Sequence, residues 1–585
     1  MVRTRGGGSS NLDRVRPTAS IRRKQGGPST SIPNEEFEDY IEQEEVEVDD
    51  EGYPGGPLDK SLLVNYEHHV AKQLWDSLDR GELKVVSHGR KINKLGAPHE
   101  RIEAAVELSG LAGLLHASYE SLDRGLLCAF VERWHAETNS FHLPVGEMTI
   151  TLDDVSNLLH LPIVSQFYTQ ETLDSDSATD LLVEALRVDR ALASEETRHC
   201  RGAHVRLSWL REVYQDACSR RQWTMAARAY LLHLVGCTIF ADKSATSVSV
   251  FYLGFFVGLR LTGGYSWAAA ALTHMYEQLG DCSYANTKQL AGYATLLQGW
   301  IYEHFPSIGM RRTQALYSED QPRCRLYDAG KGTLIVVVRS QLDTLTPASI
   351  RFCPYNEHKE ERPFEWISLF CGYLRLGNWT QLHMPERVLR QYGYTQIIPR
   401  NPSVIGHGHP DTNEMDRRWL HFNDYVIHDY AIARHPDACV QEYMGWFRSV
   451  SHSYVINTDE DDRPVPVPSD ARHHEAVPSH HEESHPALGI CRRITETLQP
   501  LLDHGDVVEG SPIWEGIQAA IMLARGATDE RAVYVRRHAH NLHTFGFIYP
   551  YAQMWVPDIF IRRHNCDFRI FLSVGITATS GYFYP

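Results

Sequence analysis

One segment of the sequence carries the residue types of a phosphate-binding loop. It runs from Gly236 to Lys243 and Ser244. Such a loop needs glycines whose bare backbone amides approach phosphate oxygens, with the lysine completing the charge. Here the glycine stands too far from the lysine, and Asp242 occupies the position where a glycine should precede it. Because a carboxylate there would repel phosphate, the sequence predicts no nucleotide site and no cofactor.

Patterns of catalytic residues are also missing from the sequence. Metallophosphatases hold two metal ions in loops of the types Gly-Asp-x-His, Gly-Asp-x-x-Asp-Arg-Gly and Gly-Asn-His, and none of these occurs in the chain. The pair Gly505-Asp506 is followed by Val-Val-Glu, which supplies no set of ligands. No Gly-x-Ser-x-Gly elbow for a nucleophilic serine is present, and no motif supports a Schiff-base lysine for pyridoxal chemistry. The sequence therefore predicts no catalytic residues and a protein that is not an enzyme.

Histidine is abundant, with 31 residues, so accidental clusters are expected. His421, His428 and His435 repeat every seven residues and would share one helix face. Neighbours in that series would lie about 10.5 Å apart along a helix, too far for one ion. Cys353 and His358 lack a second pair of ligands in sequence. Five histidines that could hold metal loosely are interpreted as part of a solvated, disordered tract: His473, His474, His480, His481 and His485. The sequence thus predicts no metal site.

Length, composition and charge indicate the class of protein to which the chain belongs. The chain has 585 residues, 43% hydrophobic and 22% charged, which is ordinary for a globular protein with a large core. The formal charge of −17 argues against a general nucleic-acid coat, though not against a local basic patch. Eleven scattered cysteines and an N-terminus without an apolar signal segment predict reduced thiols in a cytosolic or nuclear protein. The most apolar stretch, 248–261, is too short for a membrane span and is predicted to be buried core.

The apolar pattern is mostly helical. Thr151 and the residues up to Asp154 resemble a capping box, so a helix is predicted to begin there and to stop before Pro162. Trp267 lies in an alanine-rich segment and is predicted to be buried. Three further segments have apolar residues at helical spacing: 104–115, 126–134 and 265–279.

Strand candidates are few. The continuous β-branched segment 333–338 is the clearest, and 148–150 is a shorter one. The predicted fold is therefore mainly α, with one large multi-helical domain, a small β element and disordered tails. A disordered tail, first basic and then acidic, is predicted at 1–57, and the helical domain at 58–455. A low-complexity linker rich in acidic residues, proline and histidine follows at 456–487. The chain then continues with a short helical segment at 488–540 and an atypical hydrophobic tail at 541–585.

Five blocks of the predicted helical domain carry a resemblance to a known family. The first contains Phe-His-Leu-Pro-Val-Gly-Glu-Met-Thr-Ile-Thr-Leu-Asp-Asp, and the fourth contains Pro-Glu-Arg-Val-Leu-Arg-Gln-Tyr-Gly. In order along the chain, the blocks lie at 141–163, 229–244, 265–271, 385–393 and 442–447. Together they resemble the plant mobile domain, which occurs in the MAIN and MAIN-like group and in related plant transposable elements.

The resemblance implies a nuclear protein with a role in transposon silencing, gene regulation, genome integrity and meristem maintenance. It also implies protein partners, with a type-7-like phosphatase or another mobile-domain protein as candidates, and no membrane. Some relatives carry a fused type-7 phosphatase domain, but the phosphatase motifs are missing here, so that activity is not carried over. The family offers no catalytic residues to transfer, and the block residues His142, Pro144, Gly146, Trp267 and Arg390 are equally well interpreted as fold-defining.

Two alternatives remain open at the level of sequence. One is a nucleic-acid-binding module of transposon origin, and the other is a divergent phosphatase or nuclease, which would need carboxylates and histidines to converge in one pocket. Arg22, Arg23 and Lys24 could form a nuclear-import signal or a solvated basic tail. The nucleic-acid alternative is motivated by three local arginine pairs: Arg311 with Arg312, Arg387 with Arg390, and Arg417 with Arg418.

Overall fold

A computed structural model describes residues 52–457, except His88, Ala245 and 407–409, together with a few positions between 499 and 571. The predictions for the N-terminal tail, the low-complexity linker and the two C-terminal segments lie almost wholly outside these residues.

Helices are the predominant regular structure of the described chain. The α-helices are α1 (Val70–Trp75), α2 (Gly89–Leu95), α3 (Glu100–Leu108), α4 (Leu114–Ala117), α5 (Arg124–Val131), α6 (Leu152–Leu159), α7 (Ser175–Leu186), α8 (Arg190–His199), α9 (Leu207–Ser219), α10 (Trp223–Cys237), α11 (Trp267–Ser283), α12 (Ala294–His304), α13 (Ile335–Asp343), α14 (Pro402–Ile405), α15 (Thr412–Leu420) and α16 (Tyr443–Val450). Short 3-10 helices lie at Tyr66–His68, Val250–Phe256, Thr262–Gly264, Arg323–Leu326, Pro347–Ser349, Glu357–Glu360, Trp366–Leu369, Pro385–Tyr392 and Phe422–Asp424.

The strands are short and form small antiparallel sheets. They are β1 (Trp134–His135), β2 (Ser140–Leu143), β3 (Gly146–Met148), β4 (His204–Arg206), β5 (Ser247–Ser249), β6 (Arg311–Thr313), β7 (Tyr327–Ala329), β8 (Gly372–Leu376), β9 (Trp379–His383), β10 (Phe560–Ile561) and β11 (Ile570–Phe571). The first three form one sheet in the order β1-β2-β3, and the others pair as β4-β5, β6-β7, β8-β9 and β10-β11. The prediction of a mainly α fold with a small β element is confirmed.

The core is built around α10, α11 and α12, whose side chains are buried on almost every face. The alanines of α11 allow close helix packing, and Trp267 at its start is fully buried, as predicted. The Trp267 indole N–H donates to the carbonyls of Ser109 at 2.8 Å and Thr262 at 3.1 Å. Because this polar atom is paired, the large ring is buried without an unsatisfied donor.

Helix α6 begins as its sequence predicts. The Thr151 hydroxyl accepts from the Asp154 backbone N–H at 3.0 Å, and the Asp154 carboxylate accepts from the Thr151 N–H at 2.7 Å. This reciprocal pair is a capping box. The helix ends when His160 takes a left-handed conformation with φ of 57°, two residues before Pro162.

The prediction of a strand at 333–338 is wrong, since most of this segment lies in helix α13. Val338 and Leu342 are four residues apart and face the core, where α13 packs against α5. The Arg339 guanidinium binds the buried Glu132 carboxylate at 2.6 and 2.7 Å. Packing and this ion pair therefore outweigh the strand preference of β-branched residues.

Other boundaries also differ from the predictions. The segment 104–115 forms two helices, because Gly110 has φ of 76° and interrupts it. Helix α5 ends at Val131, so Trp134 belongs to strand β1 instead of the helix. The short strand predicted at 148–150 lies earlier, at Gly146–Met148.

The remaining sequence predictions concern a helix face and a buried segment. His421, His428 and His435 share no helix, because α15 ends at Leu420. The apolar stretch 248–261 supplies a 3-10 helix, Val250–Phe256, whose residues are all buried. Within the described part of the chain, no helix combines the length and apolarity needed to cross a bilayer.

Candidate functional site

The hairpin of β2 and β3 presents the first sequence block to the fourth and fifth. Leu143 pairs with Gly146 at the turn, and Gly146 has φ of 114°, a conformation that favours glycine. A Cβ atom at this position would lie 2.5 Å from the Arg390 guanidinium and 2.8 Å from the Tyr443 hydroxyl. Glycine is therefore required both by the backbone and by the close approach of these two side chains.

Glu147, the next residue, forms a buried ion pair with Arg387. The guanidinium donates from Nε at 2.6 Å and from Nη2 at 2.7 Å to the two carboxylate oxygens. Both residues are 1% exposed. The Ser140 hydroxyl adds a third bond to the carboxylate at 2.7 Å. Such a two-point pair, fully hydrogen-bonded, fixes the position of the β2-β3 hairpin against the 3-10 helix Pro385–Tyr392.

Two neighbours of Arg387 complete this junction. Arg390 donates to the Val145 carbonyl at 2.8 Å and lies over the Tyr443 ring at 5.7 Å. The Gln391 side chain bonds both the N–H and the carbonyl of Thr149, each at 2.8 Å. Three of the five sequence blocks therefore meet in one buried hydrogen-bonded network, in which Arg390 Nε has no partner among the described residues.

A second polar node lies at the start of α6. Asp154 Oδ1 accepts from His304 Nε2 at 2.9 Å and from the Tyr355 hydroxyl at 2.8 Å. Although burial raises the pKa of this carboxyl, His304 and the bonds from Thr151 outweigh burial, and the pKa lies below its usual value. His304 Nδ1 faces the Arg351 carbonyl at 2.7 Å. The His304 ring, at the end of α12, therefore joins α6 to the backbone at Arg351, and the node holds these elements together.

The space beside the Glu147–Arg387 pair is small. A pocket next to it has a volume of about 10 Å³, and its lining residues include Thr138, Asn139, Thr149, Tyr276 and His383. That volume holds about one water molecule. It gives no room for a substrate.

The residues singled out from the sequence are mostly buried parts of the fold. His142, Pro144, Gly146, Trp267 and Arg390 are all buried. The false phosphate loop ends in an ion pair, in which the Lys243 ammonium lies 2.8 Å from Asp281.

The three arginine pairs differ in how available they are to phosphate. Arg387 and Arg390 are buried in the network just described. Arg417 and Arg418 both bind Glu414, each at 2.7 Å. Arg311 donates to backbone carbonyls, and its neighbour Arg312 is exposed.

The structure brings together histidines that no pattern in the sequence groups. His69, His135 and His452 are buried, and their ring nitrogens lie within 4.8 Å of one another. The His142 ring centroid lies 4.5 Å from that of His135. Burial lowers the pKa of His69 to about 4 and holds the pKa of the other three well below its usual value. His69, His135 and His452 are far apart in sequence, so no spacing pattern could have found this group.

Cys353 and His358 do not join this group. The Cys353 thiol donates to the carbonyls of Arg390 and Gln391, each at 3.4 Å, and His358 contacts Glu319 at 2.8 Å. The nine cysteines in the described residues are all free thiols.

Comparison with known proteins gives one family. The model of the plant mobile domain matches residues 110–448, more than half of the chain. The chain is 31% identical to the protein MAIN-LIKE 1 of Arabidopsis thaliana over 415 residues, which cover 68% of this chain and 79% of that relative. It is 29% identical to the protein MAINTENANCE OF MERISTEMS of the same plant, covering 67% and 82% of the two chains. No solved structure matches the chain.

A third relative bears the name of an enzyme. The serine/threonine-protein phosphatase 7 long form homolog of Arabidopsis thaliana is 27% identical over 385 residues. The match covers 59% of this chain but only 27% of that relative. Most of the phosphatase homolog therefore lies outside the shared region, and its name says nothing about catalysis by the matched part.

Proposed function

Because the chain belongs to the plant mobile domain family, we propose that it is a non-catalytic nuclear protein that acts by binding other proteins. Its proposed role is in transposon silencing, gene regulation, genome integrity and meristem maintenance. The name of one relative, MAINTENANCE OF MERISTEMS, supports the last of these. The buried networks support the absence of catalysis, because their carboxylates and histidines bond to other protein groups. The pocket beside the Glu147–Arg387 pair holds about one water molecule.

One exposed apolar surface carries the proposal of protein binding. It consists of Leu334, Val336 and Val337 at the start of α13, which are 66%, 58% and 45% exposed, and Met310, which is 51% exposed. The Gly330 N–H donates to the Met310 carbonyl at 2.8 Å, so Met310 lies beside the segment that leads from Gly330 to Leu334 four residues later. Single exposed apolar residues are common, but a group of large ones on neighbouring elements marks an interaction site.

The surface is held rigidly from behind. Val338 and Leu342 pack into the core, and Arg339 binds both Glu132 and Asp79. Helix α13 thus cannot turn its apolar residues inward without breaking a buried ion pair. A rigid surface loses little conformational entropy when a partner binds, which favours association. The partner therefore needs a complementary apolar patch, and a type-7-like phosphatase or another mobile-domain protein are the candidates.

The test is affinity purification from plant nuclei with the wild-type chain, Val336→Asp and Leu192→Asp. Val336 and Leu192 are 58% and 56% exposed, and both lie in the first turn of a helix, where an aspartate is tolerated. We expect Val336→Asp to reduce recovery of specific partners at least about tenfold, because a charge in an apolar interface must be desolvated. Leu192→Asp should recover the wild-type set.

Equal recovery by both variants would exclude the α13 surface, and the absence of any specific partner with the wild-type chain would exclude the protein-binding role. Retention on DNA or RNA that falls steeply with salt would instead favour the nucleic-acid-binding alternative. Localisation is tested separately with a fluorescent fusion. We expect a nuclear signal that is lost when Arg22, Arg23 and Lys24 are changed to alanine, and a wild-type protein outside the nucleus would contradict the nuclear role.

A further inference from the structure

The buried histidines join parts of the chain that are remote in sequence. His69 precedes α1, His135 lies in β1, and His452 follows α16. They are 4%, 0% and 1% exposed. The His69 and His135 rings are stacked with centroids 4.0 Å apart, and the His135 and His452 centroids are 4.8 Å apart. The group therefore connects the first helix of the described domain, the central sheet and the last segment of the domain.

Hydrogen bonding within the group leaves one lone pair unused. The ring nitrogen His452 Nδ1 faces the Tyr454 carbonyl at 3.4 Å and so carries the proton. His452 Nε2 then accepts from His135 Nε2, 2.7 Å away. This fixes His135 Nδ1 as an acceptor, and it has no hydrogen-bond partner among the described residues although it is fully buried. A buried nitrogen lone pair without a donor is costly in a protein interior.

The surroundings of the group resemble those of metal-binding imidazoles. Such ligands donate their other ring N–H to a backbone carbonyl, which fixes the tautomer. His452 does so to Tyr454, and His69 Nε2 does so to the Trp134 carbonyl at 2.8 Å. His142 is less available, because its two nitrogens face Thr138 and Ser451 at 3.0 and 2.7 Å.

We propose that His69, His135 and His452 bind one Zn²⁺ ion, which fastens the two ends of the folded domain to its central sheet. Imidazole nitrogens suit zinc, and a buried site that excludes solvent suits an ion with a structural role. The Tyr66 hydroxyl is buried without a hydrogen-bond partner among the described residues, and its ring lies 5.5 Å from that of His452. Tyr66 or a water molecule is the candidate for the fourth position.

The distances in the group are compatible with zinc after small side-chain rotations. Nitrogens bound to one tetrahedral zinc ion are roughly 3.3 Å apart. The Nε2 atoms of His135 and His452 can both face the ion only if the His135 proton moves from Nε2 to Nδ1. These two atoms are 2.7 Å apart and would have to separate, whereas the 4.8 Å limit of the group would have to shorten. His69 would exchange one existing bond for the metal, since its Nδ1 accepts from the Ala71 N–H at 3.1 Å. A positive charge near the histidines would repel zinc. The charge of Arg133, a nearby cation, is paired with the Asp343 carboxylate.

The first experiment measures zinc bound to the full chain, purified without a polyhistidine tag. The five histidines between 473 and 485 are changed to asparagine in every variant, because they could bind zinc loosely. We expect one equivalent of zinc per chain after gel filtration. His69→Asn, His135→Asn and His452→Asn should each weaken zinc binding more than about 100-fold in a chelator competition, since losing a direct ligand costs more than losing an outer partner.

His383→Asn is the matched control. His383 is also buried, donates from Nδ1 to the Phe370 carbonyl, and has an Nε2 atom without a partner among the described residues. This control should keep the full equivalent of zinc, and adding zinc to the metal-free control should raise its thermal midpoint by several degrees. The proposal is overturned if zinc is lost with the tail histidines alone, or if His452→Asn binds it as tightly as His383→Asn does.

A second measurement does not depend on whether the histidine variants fold. X-ray absorption of the zinc-loaded protein that lacks only the tail histidines should show three imidazole ligands at about 2.0–2.1 Å. Fewer than three imidazoles would refute the site. The tetrahedral visible spectrum of the same protein with Co²⁺ in place of zinc should agree, and an octahedral spectrum would count against enclosure by the three rings.

Discussion

Acid should weaken the fold by protonating histidines that are buried as neutral rings, and His383 in β9 allows the effect to be measured on one residue. Its ring is 2% exposed, and Nδ1 donates to the Phe370 carbonyl at 2.6 Å. Burial is the main cause that lowers its pKa to about 4. In the unfolded chain the same ring has a pKa of about 6.5. The unfolded state therefore binds a proton more readily than the folded state does.

The sign and size of the effect follow from this difference. The contribution of the neutral ring to stability is complete above pH 6.5 and is lost as the pH falls toward the folded pKa of about 4. Between pH 7.5 and 5.5, the unfolded ring becomes about 90% protonated while the folded ring stays neutral, which removes about 1.3 kcal/mol from the free energy of unfolding. His233, which is 4% exposed with a pKa lowered to about 4, adds an effect of the same sign.

The assay is urea unfolding of the wild-type chain and of His383→Asn at the two pH values. Asparagine keeps a donor for the Phe370 carbonyl but does not titrate. The cost of the substitution should therefore be smaller at pH 5.5 than at pH 7.5 by about 1.3 kcal/mol. His428→Asn, at a position where 69% of the side chain is exposed, is the comparison variant for a histidine that is not buried. An equal cost of His383→Asn at both pH values would refute the assignment of a buried, neutral ring.

Three further substitutions test the packing. Glu147→Gln leaves the Arg387 charge buried and unpaired, so it should lower the free energy of unfolding by about 3–5 kcal/mol in urea titration; a loss below about 1 kcal/mol would mean that water reaches the pair. Thr151→Ala removes the α6 cap and should cost about 1 kcal/mol, measured the same way, and no change would show that Asp154 suffices. Trp267→Asp should abolish the folded state, seen as loss of helical circular dichroism, whereas an unchanged thermal midpoint would place Trp267 at the surface.

Local patterns in the sequence predicted the structure correctly where neighbouring residues determine it. The α6 capping box and the burial of Trp267 follow from residues within a few positions of each other. The segment 333–338 failed as a strand prediction because its conformation is decided by Glu132, about 200 residues earlier in the chain, which binds Arg339 and holds α13 against α5. A continuous β-branched run contains no information about that partner.

The candidate sites show the same limit. The five blocks could be recognised as a family pattern, but the sequence does not show that Glu147 pairs with Arg387 across 240 positions. The histidine group is still harder to predict from the sequence, because His135 and His452 are 317 positions apart and neither belongs to a motif with metal-ligand spacing. Contacts between remote parts of a chain are set by tertiary packing, and helical periodicity cannot supply them.

The location of the family blocks has a consequence for where binding specificity can lie. Four block residues make buried contacts with one another, so they determine the fold and cannot touch a partner: Gly146, Glu147, Arg387 and Arg390. The exposed apolar residues proposed to bind a partner, Leu334, Val336 and Val337, lie outside the blocks, between the third and the fourth.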